Sequence, residues 1–391
     1  MKIVFISNFY NHHQAALCEN FYFLTDGNFY FIQTMPMSEE RLNMGWGVTL
    51  PPYVKKSYTS KNDYKECLNI IETADVIIIG GCRELEKLLS RRIKKEKLIF
   101  RYSERIYKNN SKFLTLPLRF IKYHWDNGFS KKIYMLCASA YAAADYVKTF
   151  NFIGKTFKWG YFPKIEKKDI KELYELKQNN SKVEILWAGR MLQFKHPEYA
   201  ICAAKYLKEK KREFHLTMIG DGDRAQTIKK LAEENGVAEN VDFLGFMPSE
   251  KVREYMQKAD IFLFTSDFNE GWGAVLNESM GSACAVVASH AIGSVPFLLK
   301  DGENGMIYTY GNINEFCEKT DKLVTDQVLR NKLQQKAYET IFNEWNANIA
   351  AKRLIELSEA LMKGRPLPDY DTGPCSRAEI LKNNWFLRNK Q

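Results

Sequence analysis

Short apolar runs alternate with longer stretches of helical periodicity along most of the chain. In the first part, these runs are rich in Val, Ile, Phe and Tyr, which favour β-strands. They lie at Lys2–Ser7, Phe29–Gln33, Asp75–Ile79, Leu98–Tyr102, Ile133–Ala138 and Lys155–Trp159. Strands that are separated by helices predict βαβ units and a parallel sheet.

A second series of the same kind follows a lysine- and glutamate-rich stretch, 164–181, which we interpret as a linker. Its runs lie at Val183–Ala188, Phe214–Gly220, Val241–Gly245, Asp260–Thr265, Ala285–Ser289 and Met306–Tyr308. We therefore predict an α/β fold with two Rossmann-like, doubly wound parallel-sheet domains, 1–163 and 182–363, that face a central cleft. Helical patterns continue to Lys363, and a last helix over Ser376–Asn389, within 370–391, is expected to pack back on the first domain.

Composition and charge narrow the class of protein. The 391 residues are 45% hydrophobic, which suits two globular domains. Residues 1–168 hold 27 basic and 15 acidic side chains, a net charge of +12, whereas the remaining residues carry −2. An anionic partner should therefore meet the N-terminal part first. A nucleic acid is disfavoured because no recognition motif accompanies the charge.

The cysteines and the hydropathy predict a location. The eight cysteines include no Cys-x-x-Cys pair, so neither a zinc site nor a disulfide framework is indicated. No apolar run approaches the ~20 residues that span a bilayer. We expect a cytoplasmic protein, peripheral at the inner face of the cell membrane if it contacts a membrane at all.

Candidate ligand residues follow two predicted strands of the second domain. Gly189-Arg190 and Lys195 come after Val183–Ala188, where an Arg and a Lys that leave one strand end can converge on a diphosphate. Taken alone, the pair is equally typical of an exposed face. Glu270, the turn Gly271-Trp272-Gly273 and Glu278 come after Asp260–Thr265. A glycosidase role for the two glutamates is rejected, because eight helical residues rise about 12 Å, more than the ~5–9.5 Å that such pairs use.

These motifs, in order with Gly220-Asp221-Gly222, Phe243-Leu244-Gly245 and Asp301-Gly302-x-Asn304-Gly305, resemble the retaining glycosyltransferases of family 4, or glycosyl transferases group 1, which have the GT-B fold. The resemblance is clear over Val183–Tyr308 and architectural elsewhere. It implies an enzyme that transfers a hexosyl group from a nucleotide diphosphate sugar, by family frequency a UDP-sugar, to a saccharide acceptor with retention. The acceptor expected is lipid-linked, in cell-surface polysaccharide synthesis.

The resemblance also implies a role for each matching residue. Arg190 and Lys195 would neutralise the donor pyrophosphate, Glu270 would lie near the donor sugar, and these three are the catalytic candidates. Glu278 would receive the ribose hydroxyls. The other donor-binding candidates are Gly189, Phe246, Met247, Gly271, Trp272, Gly273 and Ala274. No cofactor is expected and no metal, because Asp221-Gly222-Asp223 corresponds to a structural turn of the family. His196 departs from the pattern, in which glycine often follows the lysine.

The acceptor candidates lie in the first domain, at two predicted strand ends. His12 and His13 open a helix after the first strand, and they are equally well explained as polar helix-start residues. Glu104 and Arg105 follow Leu98–Tyr102, and a local ion pair is the alternative for them.

Two stretches account for the basic excess. Arg83–Lys97 carries clustered Arg and Lys, and Phe113–Trp125 mixes Arg119 and Lys122 with aliphatic and aromatic residues. This combination suits an anionic membrane surface. A solvated face and an ordinary buried helix are the alternatives.

Two other functions remain open. A non-catalytic GT-B partner subunit would keep the fold and lose donor groups, yet Arg190, Lys195, Glu270 and Glu278 are all present. A GT-B nucleotide-sugar epimerase would bind the same donors but would not need an acceptor site.

Overall fold

The computed structural model describes residues 1–43, 47–80, 86–108, 115–127, 130–178 and 180–388. The chain divides into two compact units. Unit 1 contains Met1–Lys164 together with Trp345–Lys382, and unit 2 contains Ile165–Glu344 together with the chain from Asn383 onward.

Each unit is built on one parallel sheet. The strands are β1 (Ile3–Ser7), β2 (Phe29–Gln33), β3 (Val54–Lys56), β4 (Val76–Gly80), β5 (Leu98–Ser103), β6 (Ile133–Cys137), β7 (Thr156–Lys158), β8 (Val183–Ala188), β9 (Phe214–Ile219), β10 (Val241–Gly245), β11 (Ile261–Phe264), β12 (Ala285–Ser289) and β13 (Met306–Tyr308). The order is β3-β2-β1-β4-β5-β6-β7 in unit 1 and β10-β9-β8-β11-β12-β13 in unit 2. Neighbouring strands of both sheets run parallel, as β1 with β4 and β8 with β11.

Helices connect the strands. They are α1 (His12–Leu24), α2 (Glu39–Asn43), α3 (Lys61–Thr73), α4 (Glu86–Lys94), α5 (Leu116–Asn127), α6 (Ala142–Val147), α7 (Ile170–Gln178), α8 (Glu198–Glu209), α9 (Ala225–Glu234), α10 (Ser249–Lys258), α11 (Val275–Gly281), α12 (Val295–Leu298), α13 (Ile313–Thr325), α14 (Gln327–Asn343), α15 (Ala347–Lys363) and α16 (Trp385–Arg388). The predicted α/β fold with two Rossmann-like parallel sheets is confirmed. In such sheets the order reverses at β1/β4 and at β8/β11, and ligands bind beyond the carboxyl ends of the strands there.

The predicted linker, 164–181, contains a helix. In α7, Leu173 is buried against Ala283 and Tyr338, with Ile170 and Leu176 packed beside it. Their spacing places the apolar residues on one helical face, so packing on unit 2 stabilises a segment whose overall composition is polar. At the other end of the predicted second domain, α15 groups with unit 1 instead.

The helix predicted over Ser376–Asn389 is wrong. Residues 375–378 instead lie antiparallel to β7: the Lys158 amide donates to the Ser376 carbonyl at 2.8 Å, and the Ala378 amide donates to the Thr156 carbonyl at 3.1 Å. Edge strands offer unpaired backbone groups, and pairing with β7 satisfies them. Helix forms only in α16, and Asn389 lies outside the described residues.

Candidate functional site

The turns that follow β8 and β9 approach so closely that only glycine fits. Gly220 has a φ of +128°, and a Cβ there would lie 1.9 Å from the carbonyl oxygen of Gly189. A Cβ at Gly222 would lie 2.8 Å from the Met191 carbonyl oxygen. The Met191 amide donates to the Asp221 carbonyl at 2.8 Å. The Gly-Asp-Gly segment therefore holds the turn after β8 through its backbone. Within the described ranges, no group of three or more His, Cys, Asp or Glu side chains is arranged to hold a metal ion.

Lys195 and Glu270 form an ion pair, although they follow different strands. Lys195 Nζ donates to Glu270 Oε2, and the Ser266 hydroxyl donates to the same oxygen at 2.9 Å. The two side chains are 16% and 12% exposed, so water screens their attraction less than at the surface. Arg190 is exposed, and its guanidinium makes no hydrogen bond or ion pair within the part of the chain that the structure describes. Of the two predicted cations, only Arg190 is open to solvent.

Hydrogen bonds fix the two turns relative to each other. The Thr265 hydroxyl donates to the Lys195 carbonyl at 2.6 Å and accepts the Trp187 indole N–H at 2.9 Å. The Asp267 amide donates to the Phe194 carbonyl at 2.9 Å. Thr265 and Trp187 were missed in the sequence because a polar residue inside an apolar strand carries no signal of its partner.

The predicted Gly-Trp-Gly turn can offer a ligand its backbone groups but not the indole ring of Trp272. Trp272 is fully buried, and its indole N–H donates to Asn277 Oδ1 at 2.9 Å. Gly273 has a φ of +83°, and a Cβ there would lie 2.3 Å from Cζ of Phe264. The buried ring anchors the turn, so the groups that the turn can offer a ligand are its backbone amides. Ala274 follows at the start of α11 and is half-buried.

Glu278, inside α11, is nearly buried and pairs with a residue that the sequence did not indicate. Arg253, on α10, lies 3.2 Å from Glu278 Oε1 through its Nη1. Burial raises the pKa of the Glu278 carboxyl to about 7, although the Arg253 guanidinium acts to lower it. Near neutral pH this carboxyl is therefore divided between its protonated and ionised forms.

The β10 end supplies an exposed aromatic ring at the same edge of the sheet. Gly245, with a φ of +66°, ends the strand, and its carbonyl accepts the Gly220 amide at 2.7 Å. Phe246 next to it is 55% exposed, and Met247 is half-buried. An exposed ring beside a sulfur side chain suits stacking against a planar group.

In unit 1, three of the four predicted acceptor residues lie near one tyrosine. The ring of His13 stacks on Tyr161, with centroids 5.9 Å apart, and the ring of His12 lies 3.9 Å from that of His13. The Tyr161 hydroxyl donates to Glu104 Oε1 at 2.7 Å, and Lys108 Nζ donates to Oε2 of the same carboxylate at 2.5 Å. Tyr161 was missed because it comes after β7, far along the chain from the other three.

Arg105 forms an ion pair, but with a distant residue and not the local pair that was its alternative interpretation. Its Nε lies 3.4 Å from Asp145 Oδ2, and both side chains are almost fully buried. The guanidinium also lies over the Tyr141 ring, 4.9 Å from the centroid. This geometry makes Arg105 a structural residue of unit 1.

A cavity of about 540 Å³ opens at the opposite, amino end of β8 and β11. Two buried cations line it, but both already serve helix C-termini: Lys177 Nζ donates to the Ala259 carbonyl that ends α10, and Arg330 donates to the Leu323 carbonyl of α13 at 2.7 Å. Because the backbone satisfies these two buried charges, they are not available to a ligand in this cavity.

The fold and the site define a Rossmann-like α/β protein whose second unit presents cations, carboxylates and a glycine turn at the carboxyl edge of its sheet. Among the described residues, no helix has the length and apolarity needed to cross a bilayer. Residues 169–340, less than half of the chain, match the family model for glycosyl transferases group 1. The family predicted from the motifs is confirmed.

Two of the curated relatives are named for lipopolysaccharide core and amylovoran biosynthesis. LpsE of Rhizobium meliloti, a lipopolysaccharide core biosynthesis glycosyltransferase, is 28% identical over 143 residues, 37% of this chain and 41% of the relative. AmsK of Erwinia amylovora, an amylovoran biosynthesis glycosyltransferase, is 28% identical over 184 residues, 46% of this chain and 45% of the relative. The chain therefore spans less than half the length of these curated relatives.

Solved structures resemble the whole chain. HepE of Anabaena, crystallised in complex with UDP, has a TM-score of 0.69 at 16% identity over 93% of this chain and 100% of that one. WaaG, a glycosyltransferase involved in lipopolysaccharide biosynthesis, has a TM-score of 0.61 at 16% identity over 90% of this chain and 98% of that one. Likeness at this identity concerns the fold, which is the GT-B fold predicted from the motifs.

Proposed function

We propose that this protein is a glycosyltransferase that moves a hexosyl group from a nucleotide diphosphate sugar to a saccharide acceptor with retention at the anomeric carbon. The observation that carries the proposal is the ion pair of Lys195 with Glu270 at the carboxyl ends of β8 and β11, with the exposed Arg190 in the same turn after β8 as Lys195. A cation pair and a carboxylate at one strand edge match the two ends of such a donor, the diphosphate and the sugar hydroxyls.

The reaction requires positive charge at the departing phosphate. As the bond from the anomeric carbon to the diphosphate breaks, negative charge develops on the departing phosphate, and fixed cations lower the barrier there. Arg190 and Lys195 would supply that charge, and Lys195 would exchange part of its contact with Glu270 for the phosphate. The acceptor hydroxyl forms the new bond on the face from which the diphosphate leaves, and its proton passes to the departing phosphate oxygen. We propose that this proceeds without a metal ion.

We infer that the nucleotide is UDP. HepE, which shares the fold, was crystallised with UDP and with UDP-glucose. The exposed Phe246 ring would stack on the nucleobase and Glu278 would accept the ribose hydroxyls. Backbone amides of Gly271 and Gly273 would bind the sugar and the distal phosphate.

For the acceptor, we propose a saccharide that is held by His12, His13, Tyr161 and Glu104 of unit 1. The linked hydroxyl, carboxylate and imidazole groups provide both donors and acceptors of hydrogen bonds, as sugar hydroxyls require. The relatives named for lipopolysaccharide and amylovoran synthesis support a cell-surface polysaccharide as the product.

A lipid-linked acceptor would bring unit 1 to an anionic membrane surface, and α5 supports this proposal. Leu118, Ile121 and Trp125 lie three and four residues apart on α5 and are strongly exposed, Trp125 at 86%. Lys122 beside them is also exposed. Apolar side chains next to a cation suit insertion at an anionic interface. We call Leu118, Ile121 and Trp125 the α5 apolar face.

The other predicted basic stretch contributes less to this surface. Arg92 of α4 is buried, and its Nη1 donates to the carbonyls of Ile71 and Ala74 at 2.8 and 2.7 Å. It is therefore a structural residue, whereas Arg91 is exposed. Residues 83–85 and 113–114 of the two predicted stretches lie outside the described residues.

The test is a donor screen followed by product analysis. Thermal shift against nucleotide sugars identifies the donor, because a ligand that binds only the folded state raises its stability. Nucleotide release is then measured with and without saccharide and lipid-linked acceptors, and NMR coupling constants give the anomeric configuration of the product. We expect acceptor-dependent release, retention, and full activity in EDTA.

Each other outcome contradicts a defined part of the proposal. Interconversion of the sugar on the nucleotide without release identifies an epimerase, and binding without turnover identifies a non-catalytic partner subunit. An inverted product refutes retention. Loss of activity in EDTA that Mg²⁺ or Mn²⁺ restores refutes metal independence.

A further inference from the structure

His196 occupies a backbone conformation that favours glycine. It directly follows Lys195 and ends the 3-10 turn Gln193–Lys195, with φ of 49° and ψ of 53°. For a residue with a Cβ, this left-handed conformation is strained. A contact of the imidazole ring must therefore compensate for the strain.

Both ring nitrogens of His196 face carboxylates. Nδ1 lies 2.9 Å from Glu198 Oε1, and Nε2 lies 3.5 Å from Asp267 Oδ2 and 3.2 Å from the Tyr310 hydroxyl. A neutral imidazole has one N–H and could donate to only one carboxylate, whereas the imidazolium donates to both. The geometry therefore favours the charged ring.

The surrounding charges agree with a protonated ring. Burial lowers the pKa of His196, but the hydrogen bonds to Asp267 and Glu198 outweigh it and raise the pKa to about 9. The other groups that face this cluster are the Arg224 guanidinium, 3.8 Å from Glu198 Oε2, and the hydroxyls of Tyr310 and Tyr199. The two carboxylates outweigh Arg224 in number and proximity at the ring.

The two carboxylates belong to the elements that carry the candidate donor residues. Glu198 opens α8, directly after the Lys195 turn. Asp267 lies in the turn after β11, where its carbonyl accepts the Glu270 amide at 3.1 Å. A cation that bridges Glu198 and Asp267 thus connects the turn of Lys195 to the turn of Glu270.

We propose that His196 is a positioning residue: as an imidazolium bridging Glu198 and Asp267, it holds Lys195 in place against Glu270 for the departing diphosphate. This inference rests on the proposed function. In this proposal His196 acts through the two turns and not by contact with the donor or the acceptor. The bridge also explains why a side chain is retained where glycine would fit the backbone better.

The test compares His196→Gly, His196→Asn and His215→Asn. Glycine removes the ring and relieves the backbone, and asparagine tolerates the left-handed region but carries no charge. His215 is the matched control, because it also lies between two carboxylates, Glu184 at 2.9 Å and Asp242 at 3.2 Å, but on β9 away from the turns. We expect at least a tenfold lower kcat/KM for the donor in both His196 variants and an unchanged value in His215→Asn.

Two readouts separate positioning from a general structural role. The pH profile of kcat/KM should decline above a pKa of about 9 in the wild type and lose that limb in both variants. In ¹⁵N NMR of the free protein, the imidazole resonances of His196 are those that the wild type shows and His196→Asn lacks. We expect them to report a ring that is protonated on both nitrogens at pH 7.5.

Each result bears on the proposal. A neutral His196 ring at pH 7.5, or a His196→Gly variant with full kcat/KM, overturns it. Lower thermal stability with unchanged kcat/KM at a permissive temperature also overturns it, because that outcome assigns the bridge to stability alone. If the wild type binds no nucleotide and transfers no sugar, the proposed function is refuted and the positioning role is refuted with it. The NMR measurement still reports the charge of the His196 ring, because it does not depend on activity.

Discussion

The free energy of unfolding of Glu278→Gln, compared with that of the wild type, should increase as the pH rises. In the folded state, burial raises the pKa of Glu278 to about 7 from its ordinary value of 4.5. The unfolded chain therefore ionises first as the pH rises. The contribution of this carboxyl to stability is fully present below pH 4.5 and is lost as the pH rises through 7. Glutamine does not titrate, so the variant escapes this loss.

The magnitude follows from the difference between the two pKa values. At about 1.4 kcal/mol per pKa unit, the full penalty is about 3 kcal/mol. Between pH 5 and pH 8 about 2 to 3 kcal/mol of it develops, because the carboxyl of the unfolded chain is already mostly ionised at pH 5. The free energy of unfolding of the variant minus that of the wild type should therefore rise by about 2 to 3 kcal/mol across this range.

The assay is urea unfolding at four pH values, followed by the fluorescence of the buried Trp187 and Trp272 of unit 2. The matched control is Glu234→Gln, an exposed glutamate on α9 that pairs with Lys230, for which the difference should stay flat. A flat difference for Glu278→Gln as well would refute the reasoning, because it would mean that Arg253 keeps the buried carboxylate ionised throughout.

The same variant tests the proposed contact of Glu278 with ribose. Hydroxyl donors favour the ionised carboxylate, so binding should release protons and the nucleotide affinity of the wild type should rise from pH 6 to pH 8. Glu278→Gln should bind the nucleotide more weakly, and its affinity should not depend on pH in this range. Calorimetry in buffers of different ionisation enthalpy measures both, and an unchanged affinity would refute the ribose contact. Glu270→Gln should instead leave the affinity for the free nucleotide near normal and impair transfer.

Three further predictions follow from other contacts. Lys195→Ala should lower transfer by roughly ten- to two-hundredfold, since a charge-assisted contact contributes about 1.5–3 kcal/mol; Lys230→Ala is the control, and equal turnover in both contradicts the donor assignment. Gly273→Ala should lower stability by about 2–4 kcal/mol, because the new methyl group meets Phe264 at a positive φ. The control Gly236→Ala, at a φ of +66° with open space around it, should lower stability by about 1 kcal/mol. Thermal unfolding measures both losses, and equal losses would show that the contact with Phe264 is unimportant. The double variant Ile121→Ser, Trp125→Ser should co-sediment less with anionic vesicles at low salt than the wild type. The control Val328→Ser, which removes an exposed apolar residue of unit 2, should co-sediment as the wild type does. Wild-type protein that does not bind vesicles refutes the membrane proposal.

The candidate donor site could be predicted in part because its motifs are local. Arg190 and Lys195 follow one strand within seven residues, and Glu270 precedes a glycine turn after another, so position along the chain already places them at strand ends. Direct contact between Lys195 and Glu270 depends on β8 lying beside β11, and that follows from the sheet order. The partner of Glu278 could not be predicted, since Arg253 is an unremarkable surface-type residue of α10 in the sequence.

The sequence by itself determined twelve of the thirteen strands that the structure describes, because the period of apolar residues is a property of consecutive positions. Val183–Ala188, Val241–Gly245 and Ala285–Ser289 were predicted with the bounds that the structure has. The strand β3 was missed because two of its three residues are lysines.

Only the tertiary structure decided which side chains are free and which are engaged. Arg105 is buried against Asp145, 40 residues away, while Glu104 beside it hydrogen-bonds to Tyr161, 57 residues away. Ser376–Asn389 has an amphipathic pattern, yet its first residues extend along the open edge of β7, where pairing satisfies the unpaired backbone groups of the strand. Long-range partners such as these are set by sheet order and burial, which a local sequence pattern does not contain.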